Sequence, residues 1–195
     1  MGKEKYQREI EDLFRKSPVV SYKSIERLIK NKKNVKQYSK QLVRNLLLKG
    51  KIKKLAKGSY TYFDDASLAV FCFKPAYLGL QDSLSFYNLW EQETIPVVIT
   101  ARKARSGVRK ILNANVMVRR VNKKYLFGFE YFSSGDFYLP YSDIEKTFID
   151  MVYFKERLSD EAIKEMKKSI SKSRLDSYLK VYPKRIKKTV LNLLE

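Results

Sequence analysis

Residues 35–61 read VKQYSKQLVRNLLLKGKIKKLAKGSYT, a helix pattern followed by a hairpin pattern. At about 100° per residue, one side of the helix carries Val35, Tyr38, Leu42 and Leu46. We expect the helix to end at Gly50, because glycine readily adopts the left-handed conformation found after a helix C-terminus. The β-prone runs 51–55 and 60–63 flank a short turn that contains Gly58, which predicts a β-hairpin.

Two shorter helix patterns precede this stretch. The first carries Ile10, Leu13 and Phe14 and should stop near Pro18, because proline disfavours helix at the residue before it. Ser21 is a suitable N-cap for the second, in which three apolar residues share a face: Ile25, Leu28 and Ile29. Three helices followed by a hairpin is the order of a winged helix-turn-helix, which we predict over residues 1–65.

The third helix also presents a polar side, opposite its apolar stripe. Glutamine can pair with adenine, and arginine or lysine with guanine, through hydrogen bonds in the major groove of DNA. Exposed helix faces are usually polar without binding anything, but they normally mix acids with bases, and no Asp or Glu occurs from Arg27 to Tyr62. The predicted DNA-binding residues are Ser21, Lys23, Lys36, Gln37, Lys40, Gln41, Arg44, Lys53, Lys54, Lys57 and Ser59.

The charge of the chain supports a polyanionic partner. The 195 residues carry 41 Lys and Arg against 21 Asp and Glu, a formal net charge of +20. Most of the surplus lies between Arg15 and Lys57, where Glu26 is the only acid. Such a surplus favours nucleic acid or an anionic membrane surface as partner. For the hairpin lysines a second interpretation stays open, since edge strands often carry lysine to prevent unwanted pairing.

Beyond Asp64 the composition changes, and we predict a second, mixed α/β domain over residues 66–195. Strand patterns are expected at 68–73, 95–100, 115–121, 125–132 and 137–141, with a helix over 80–90. Ser142 and Glu145 have the spacing of a capping box for a helix that ends at Phe154. Two or three amphipathic helices close the chain. The expected fold class is therefore α+β, an N-terminal winged helix followed by a mixed domain with a helical C-terminal tail.

A second basic segment runs from Arg102 to Lys124 and contains no acid. A solvated loop would account for it equally well, but it could also contact phosphates beside the winged helix. The predicted secondary phosphate-contacting residues are Arg102, Lys103, Arg105, Arg109, Arg119 and Arg120.

Several kinds of enzyme chemistry are excluded by composition. The chain has no histidine, which removes His-dependent nucleophile systems and His-ligated zinc, and its single Cys72 cannot form an internal disulfide. A metal-dependent nuclease would need converging carboxylates, often with a lysine nearby, for which the candidates are Asp136, Asp143, Glu145 and Asp150 with Lys146. The capping box explains part of that group. We therefore predict no enzyme activity, no catalytic residue, no metal site and no cofactor.

The sequence also bears on location. Residues 1–5 lead into a charged stretch without the apolar core of a signal peptide, and the longest apolar runs are too short to span a bilayer. The single cysteine suits a reducing compartment. We expect a cytoplasmic protein without a membrane partner.

Four segments resemble the AbiEi family, the antitoxins of type IV abortive-infection toxin–antitoxin systems. Residues 46–60 resemble the end of its recognition helix and its "rGvY" wing, and residues 77–87 resemble the helix that opens its second domain. Residues 95–100 match the strand that follows, and residues 141–150 resemble its "adpEkallDll" segment. The resemblance implies a winged-helix repressor of its own operon. It also implies neutralisation of a nucleotidyltransferase-type toxin without a stable complex, and the antitoxin expectation rests on this similarity alone.

Two functions from different classes remain. The first is a sequence-specific repressor that binds duplex DNA and acts as an antitoxin. The second is an RNA-binding or translation-associated protein, which the basic and aromatic composition also suits. They differ in the groove that is read, because A-form RNA hides its major groove from side chains.

Overall fold

The structure is a computed structural model that describes residues 6–30 and 33–195. Residues 1–5, 31 and 32, which fall within the predicted winged helix, lie outside the described residues.

The first part of the chain contains three helices and a small antiparallel sheet. The helices are α1 (Gln7–Lys16), α2 (Tyr22–Leu28) and α3 (Val35–Leu48), and the strands are β1 (Val20–Ser21), β2 (Lys53–Ala56) and β3 (Ser59–Thr61). The sheet order is β1-β3-β2, so the hairpin gains a third strand that the sequence did not predict. The buried residues that join these elements are Tyr6, Ile10, Phe14, Val20, Ile25, Ile29, Val43, Leu46, Ile52 and Tyr60.

The rest of the chain is built around a six-stranded mixed sheet of order β6-β7-β5-β4-β9-β8. Its strands are β4 (Ala76–Leu78), β5 (Val97–Thr100), β6 (Gly107–Ile111), β7 (Ala114–Arg120), β8 (Phe129–Ser134) and β9 (Phe137–Ser142). The pairs β4–β9 and β5–β7 are parallel and the others antiparallel. The helices are α4 (Gln81–Phe86), α5 (Ile144–Phe154), α6 (Asp160–Ser169), α7 (Lys172–Leu179) and α8 (Lys184–Leu194), with short 3₁₀ helices at Ala66–Phe73 and Lys123–Tyr125. The fold is mixed α+β.

Each face of this sheet has its own core, because successive side chains of a strand point to opposite faces. On β5, Val98 packs with the 3₁₀ helix residues Leu68 and Val70. Its neighbour Ile99 packs on the other side with Phe148 of α5 and with residues of α7 and α8. The sheet is therefore covered on both faces.

The hairpin connects the two parts of the chain. Ile52, just before β2, lies in the core of the three helices, whereas Leu55 on β2 lies in the core beneath the 3₁₀ helix. Phe63 meets Phe137 of β9 edge to face, with ring centroids 5.0 Å apart. The side chains of Lys53 and Asp64 form an ion pair at the same junction. These contacts fix the hairpin against the large sheet.

Residues 68–73 form a 3₁₀ helix, so the predicted strand there is wrong. Asp65 caps it by accepting a hydrogen bond of 2.8 Å from the backbone N–H of Ser67. A short apolar run is compatible with either a buried strand or a buried helix. The cap, and the two-sided burial of Leu68 and Ala69 against the sheet, make it helical.

Other local expectations also need correction. The helix predicted over 80–90 ends at Phe86, and Asn88 has a positive φ of 57°. Asp143, not Ser142, is the N-cap of α5, because its carboxylate accepts a 2.7 Å hydrogen bond from the backbone N–H of Lys146. The strand predicted from Tyr125 begins only at Phe129. Strands β4 and β6 were not predicted.

Candidate nucleic-acid interface

The polar side of α3 faces solvent. Ser39, Val43 and Leu46 are buried against the other helices, whereas the predicted DNA-contacting residues of this helix are all exposed: Lys36, Gln37, Lys40, Gln41 and Arg44. Asn34 caps the helix, since its side-chain oxygen accepts a 3.0 Å hydrogen bond from the backbone N–H of Gln37. The structure thus places the five side chains on one open helical surface.

Two amide side chains on this surface have partners within the helix. The Gln41 amide donates to the Asn45 side chain at 3.1 Å, and the Asn34 amide donates to Gln37 at 3.2 Å. Asn34 and Asn45 were not among the predicted site residues. Their positions gave a signal, because asparagine before an apolar-periodic run is an N-cap pattern and Asn45 lies one turn after Gln41.

Tyr22 ties α3 to α2 and to the hairpin turn. Its hydroxyl donates to the carbonyl of Lys36 at 3.2 Å, and its backbone N–H donates to the carbonyl of Gly58 at 2.8 Å. Gly58 has a φ of +76°, which a turn at this point requires and which glycine adopts without strain. The beginning of α2, the turn and the beginning of α3 are therefore held together. Lys23 and Lys57 are exposed at this junction.

Three of the other predicted contacts have structural partners. The Ser21 hydroxyl caps α2 by accepting a 3.0 Å hydrogen bond from the backbone N–H of Ser24. Lys53 is half-buried and paired with Asp64, and Ser59 is half-buried with its hydroxyl toward Cys72. Of the hairpin residues in the predicted set, Lys54 and Lys57 are the exposed ones.

Two arginines of the second basic segment contact the 3₁₀ helix Ala66–Phe73. The Arg102 guanidinium donates to the carbonyl of Cys72 at 2.9 Å, and the Arg109 guanidinium lies 5.2 Å from the ring centre of Phe73. Arg109 also donates to the carbonyl of Arg105 at 2.9 Å. Exposed on the same segment are Arg102, Lys103, Arg105 and Arg120, while Arg109 is half-buried. We call Arg102, Arg105 and Arg109 the 3₁₀-side arginines.

Arg119 does not belong with that group. It alternates with Arg120 on β7, so the two side chains point to opposite faces of the sheet. Its guanidinium pairs with the Glu156 carboxylate at 2.5 Å and lies 5.9 Å from the ring centre of Phe154. The sequence prediction that grouped Arg119 with the other arginines is not supported by this placement.

Cys72 lies between the hairpin and the 3₁₀-side arginines. Burial raises the pKa of its thiol, while the Ser59 hydroxyl and the Arg102 guanidinium favour the thiolate and offset part of that rise. Leu55 of the hairpin packs in the same core as the 3₁₀ helix, and Arg102 donates to the Cys72 carbonyl of that helix. The 3₁₀ helix therefore brings the two predicted cationic regions next to each other.

Of the residues considered for a nuclease, Asp143 and Glu145 both lie beside Arg174, but the group as a whole does not converge. Asp136 lies in the turn before β9 and Asp143 follows the strand's last residue, so the two are at opposite ends of β9. Lys146 and Asp150 are fully buried and paired with each other. In the part of the chain that the structure describes, no group of three His, Cys, Asp or Glu side chains is placed to hold a metal ion.

Within residues 6–30 and 33–195, none of the helices combines the length and the apolar character needed to cross a membrane.

Comparison with solved structures finds a similar fold in the RV2827C protein from Mycobacterium tuberculosis. The TM-score is 0.56 at 13% sequence identity, over 97% of this chain and 75% of that chain. At this identity the likeness concerns the fold alone. No family model matches the sequence, and no curated protein matches it.

Proposed function

We propose that the protein is a transcriptional regulator that binds duplex DNA through α3 and the β2–β3 hairpin. In this proposal residues 1–65 form a winged helix-turn-helix, with α3 as recognition helix and the hairpin as wing. The observation that carries the proposal is the exposed side of α3, which presents amide and cationic side chains without an acid. A helix fits the major groove side-on, and these side chain types pair with base edges there.

The arrangement around α3 supports different roles for different residues. Gln37, Gln41 and Arg44 lie on the helix itself and would read bases, whereas Lys23, Lys54 and Lys57 flank it and would contact phosphates. The 3₁₀-side arginines contact the 3₁₀ helix that packs against the wing, and would extend the phosphate contacts along the flanking duplex. Lys53 and Ser59 have lesser roles in this proposal, since their side chains serve the junction with the large sheet.

Binding of α3 to bases predicts a specific loss in the Arg44→Ala variant. Duplexes selected from a random-sequence pool by the wild-type protein serve as the probe. Arg44→Ala should weaken binding to the selected duplex by on the order of 1–3 kcal/mol and flatten the sequence preference. Lys57→Ala should weaken binding to all duplexes alike, because phosphate contacts carry no sequence information.

Fluorescence anisotropy with the selected duplex, a scrambled duplex and a folded RNA competitor measures these effects. Lys188→Ala, a change in α8 remote in sequence from α3 and the wing, is the matched control and should bind normally. The assignment of α3 is wrong if Lys57→Ala changes base preference and Arg44→Ala does not. Stronger competition by RNA than by either duplex would favour the RNA-binding alternative.

We further propose that this regulator is the antitoxin of a type IV system, with a nucleotidyltransferase-type toxin as functional partner in the cytoplasm. This part is supported by the resemblance of residues 46–60, 77–87, 95–100 and 141–150 to the AbiEi family. The wild-type protein and Arg44→Ala should protect cells equally from a toxin encoded next to it, while only the wild type represses the shared promoter. Growth and a promoter reporter measure the two effects, and loss of protection with Arg44→Ala would contradict the separation.

A further inference from the structure

The large sheet ends in an open edge at β8. This strand is last in the sheet order, and β9 is its strand neighbour among the described residues. The two strands pair without a bulge from Phe129 opposite Ser142 to Ser134 opposite Phe137. Six residues in regular register make a longer edge than the very short edge strands that natural sheets commonly use.

The geometry of the β8–β9 hairpin shows which backbone groups of β8 point away from β9. Ser134 and Phe137 close a two-residue turn, so they form a hydrogen-bonded pair, and such pairs alternate along an antiparallel ladder. Tyr131 then falls in a pair without hydrogen bonds, which agrees with its partner Pro140 having no N–H. The N–H and C=O groups of Phe129, Tyr131 and Ser133 therefore point away from β9.

The two edges of the sheet differ in their protection. Natural edge strands commonly avoid unwanted pairing by carrying charged side chains, lysine above all, or proline. The opposite edge, β6, carries Arg109 and Lys110, but β8 reads FEYFSS and its charged residue is Glu130. Tyr131 is 57% exposed on this strand. In a chain of net charge +20, the absence of a cation from this edge is a local exception.

A cleft of about 270 Å³ lies at the Glu130 end of the edge. It is lined by three carboxylates and one cation: Glu130, Asp143, Glu145 and Arg174. Arg174 lies 3.9 Å from the Asp143 carboxylate and 3.8 Å from that of Glu145. Glu130 is exposed and has no ion-pair partner among the described residues. The cleft therefore keeps an uncompensated negative charge.

We propose that β8 accepts an extended segment of a partner protein as an additional strand, and that a lysine or arginine of this segment enters the cleft beside Glu130. Backbone hydrogen bonds to Phe129, Tyr131 and Ser133 would supply affinity, and the cation would supply specificity and register. This protein-binding edge is separate from the surface of α3 and does not depend on DNA binding.

The negative charge of the cleft argues against two other occupants of the edge, nucleic acid and a second copy of the chain. Phosphates would be repelled by the carboxylates of the cleft, so the edge does not suit nucleic acid. A second copy of the chain, paired antiparallel about Tyr131, would place the two Glu130 side chains on one face as diagonal neighbours, where like charges oppose pairing. An extended segment that carries a cation is attracted by the carboxylates and brings no second Glu130 to the edge.

The test is an oriented peptide library, free of proline, screened against the full-length protein. Bound peptides should alternate β-branched or aromatic residues and be enriched in lysine or arginine at one position. Hydrogen exchange followed by NMR with the best peptide should show new protection of the Tyr131 and Ser133 amides. The amides of Glu130 and Phe132 should already be protected in the free protein, since they face β9.

Two variants and a control complete the test. Glu130→Gln should weaken peptide binding about threefold to fivefold and abolish the preference for a cation at that position. Tyr131→Lys should weaken it at least tenfold, while Tyr138→Lys on β9, where the side chain is 62% exposed but not at the edge, should bind normally. Circular dichroism confirms that each variant is folded.

Several results would overturn the proposal. They are the absence of any bound peptide, enrichment of acidic residues, or equal losses for Tyr131→Lys and Tyr138→Lys. Protection of Tyr131 and Ser133 that rises with protein concentration alone would show that a second copy covers the edge.

Discussion

The side chains of Lys146 and Asp150 are fully buried, one turn apart on α5, and pair with each other. The Asp150 carboxylate also accepts a 2.6 Å hydrogen bond from the hydroxyl of Tyr77. Three rings surround the ammonium group at 5.2–5.8 Å from their centres: Tyr77, Phe127 and Tyr182. Burial lowers the pKa of Lys146 and raises that of Asp150, and each partner opposes the shift of the other. The pair therefore depends on both members being present.

Removing one member of the pair should lower the free energy of unfolding by an amount that depends on pH. Lys146→Met leaves a buried carboxylate with Tyr77 alone, so the free energy of unfolding should fall by about 3–5 kcal/mol. Without the ammonium group the pKa of Asp150 rises further above its unfolded value. The folded form then holds a proton that the unfolded chain releases above the ordinary pKa of an aspartate, so the loss should grow as the pH rises above that pKa.

The double variant Lys146→Met/Asp150→Asn is the control for this experiment. It removes both charges and keeps an acceptor for the Tyr77 hydroxyl, so it should recover most of the stability and lose the pH dependence. Urea denaturation at pH 6 and pH 8 measures all three proteins. A double variant as unstable as Lys146→Met would show that packing around the lysine, and not the unpaired charge, is responsible.

At the scale of elements, the helices with long periodic patterns and most of the short strands were predictable, but the apolar run at residues 68–73 was not. Helix α3 has a periodic apolar stripe and a cap, and its observed bounds agree with the expected ones within two residues. The buried side is turned slightly from the expected one, since Val43 is buried and Tyr38 and Leu42 are half-buried. The run at residues 68–73 gave no period that separates strand from 3₁₀ helix. Strand β6 was hidden because Arg109 and Lys110 made it resemble a solvated loop.

The candidate site was also predictable only in part. The exposed side of α3 follows from its helical period, and the structure leaves those side chains open. The partners of Lys53 and Ser59 did not follow, because Asp64 and Cys72 meet them only when the hairpin packs on the large sheet. Arg119 and Arg120 are neighbours in sequence, and only the assignment of β7 as a strand separates them onto opposite faces.

At the scale of the whole molecule, the proposed DNA binding should weaken as the salt concentration rises, because cationic side chains contact phosphates. If α3, the wing and the 3₁₀-side arginines together make about six to eight phosphate contacts, log K against log salt should slope at roughly −5 to −7. The triple variant Arg102/Arg105/Arg109→Ala should reduce the magnitude of that slope by about 2 to 3 and keep the sequence preference.

Arg119→Ala is the control for the slope, because Arg119 faces the other side of the sheet and is paired with Glu156. It should leave the slope unchanged. Titrations at several salt concentrations measure it. A wild-type slope shallower than about −2 would mean that the cationic surface contacts few phosphates. An equal effect of Arg119→Ala would mean that the duplex follows a different path.

Leu55 lies on the hairpin beside α3 and yet belongs to the core of the large sheet, with Phe63 packed against Phe137 at the same junction. The two parts of the chain should therefore unfold together. A ligand that binds only the folded protein stabilises it by RT ln(1 + [L]/Kd), about 2.7 kcal/mol at a hundredfold excess over Kd. If α3 binds a duplex as proposed, the shared core passes that stabilisation on to the large sheet. Proteases degrade unfolded chains, so under the proposed function DNA-bound molecules should outlive unbound ones, and the number of DNA sites would help to set how long the protein lasts.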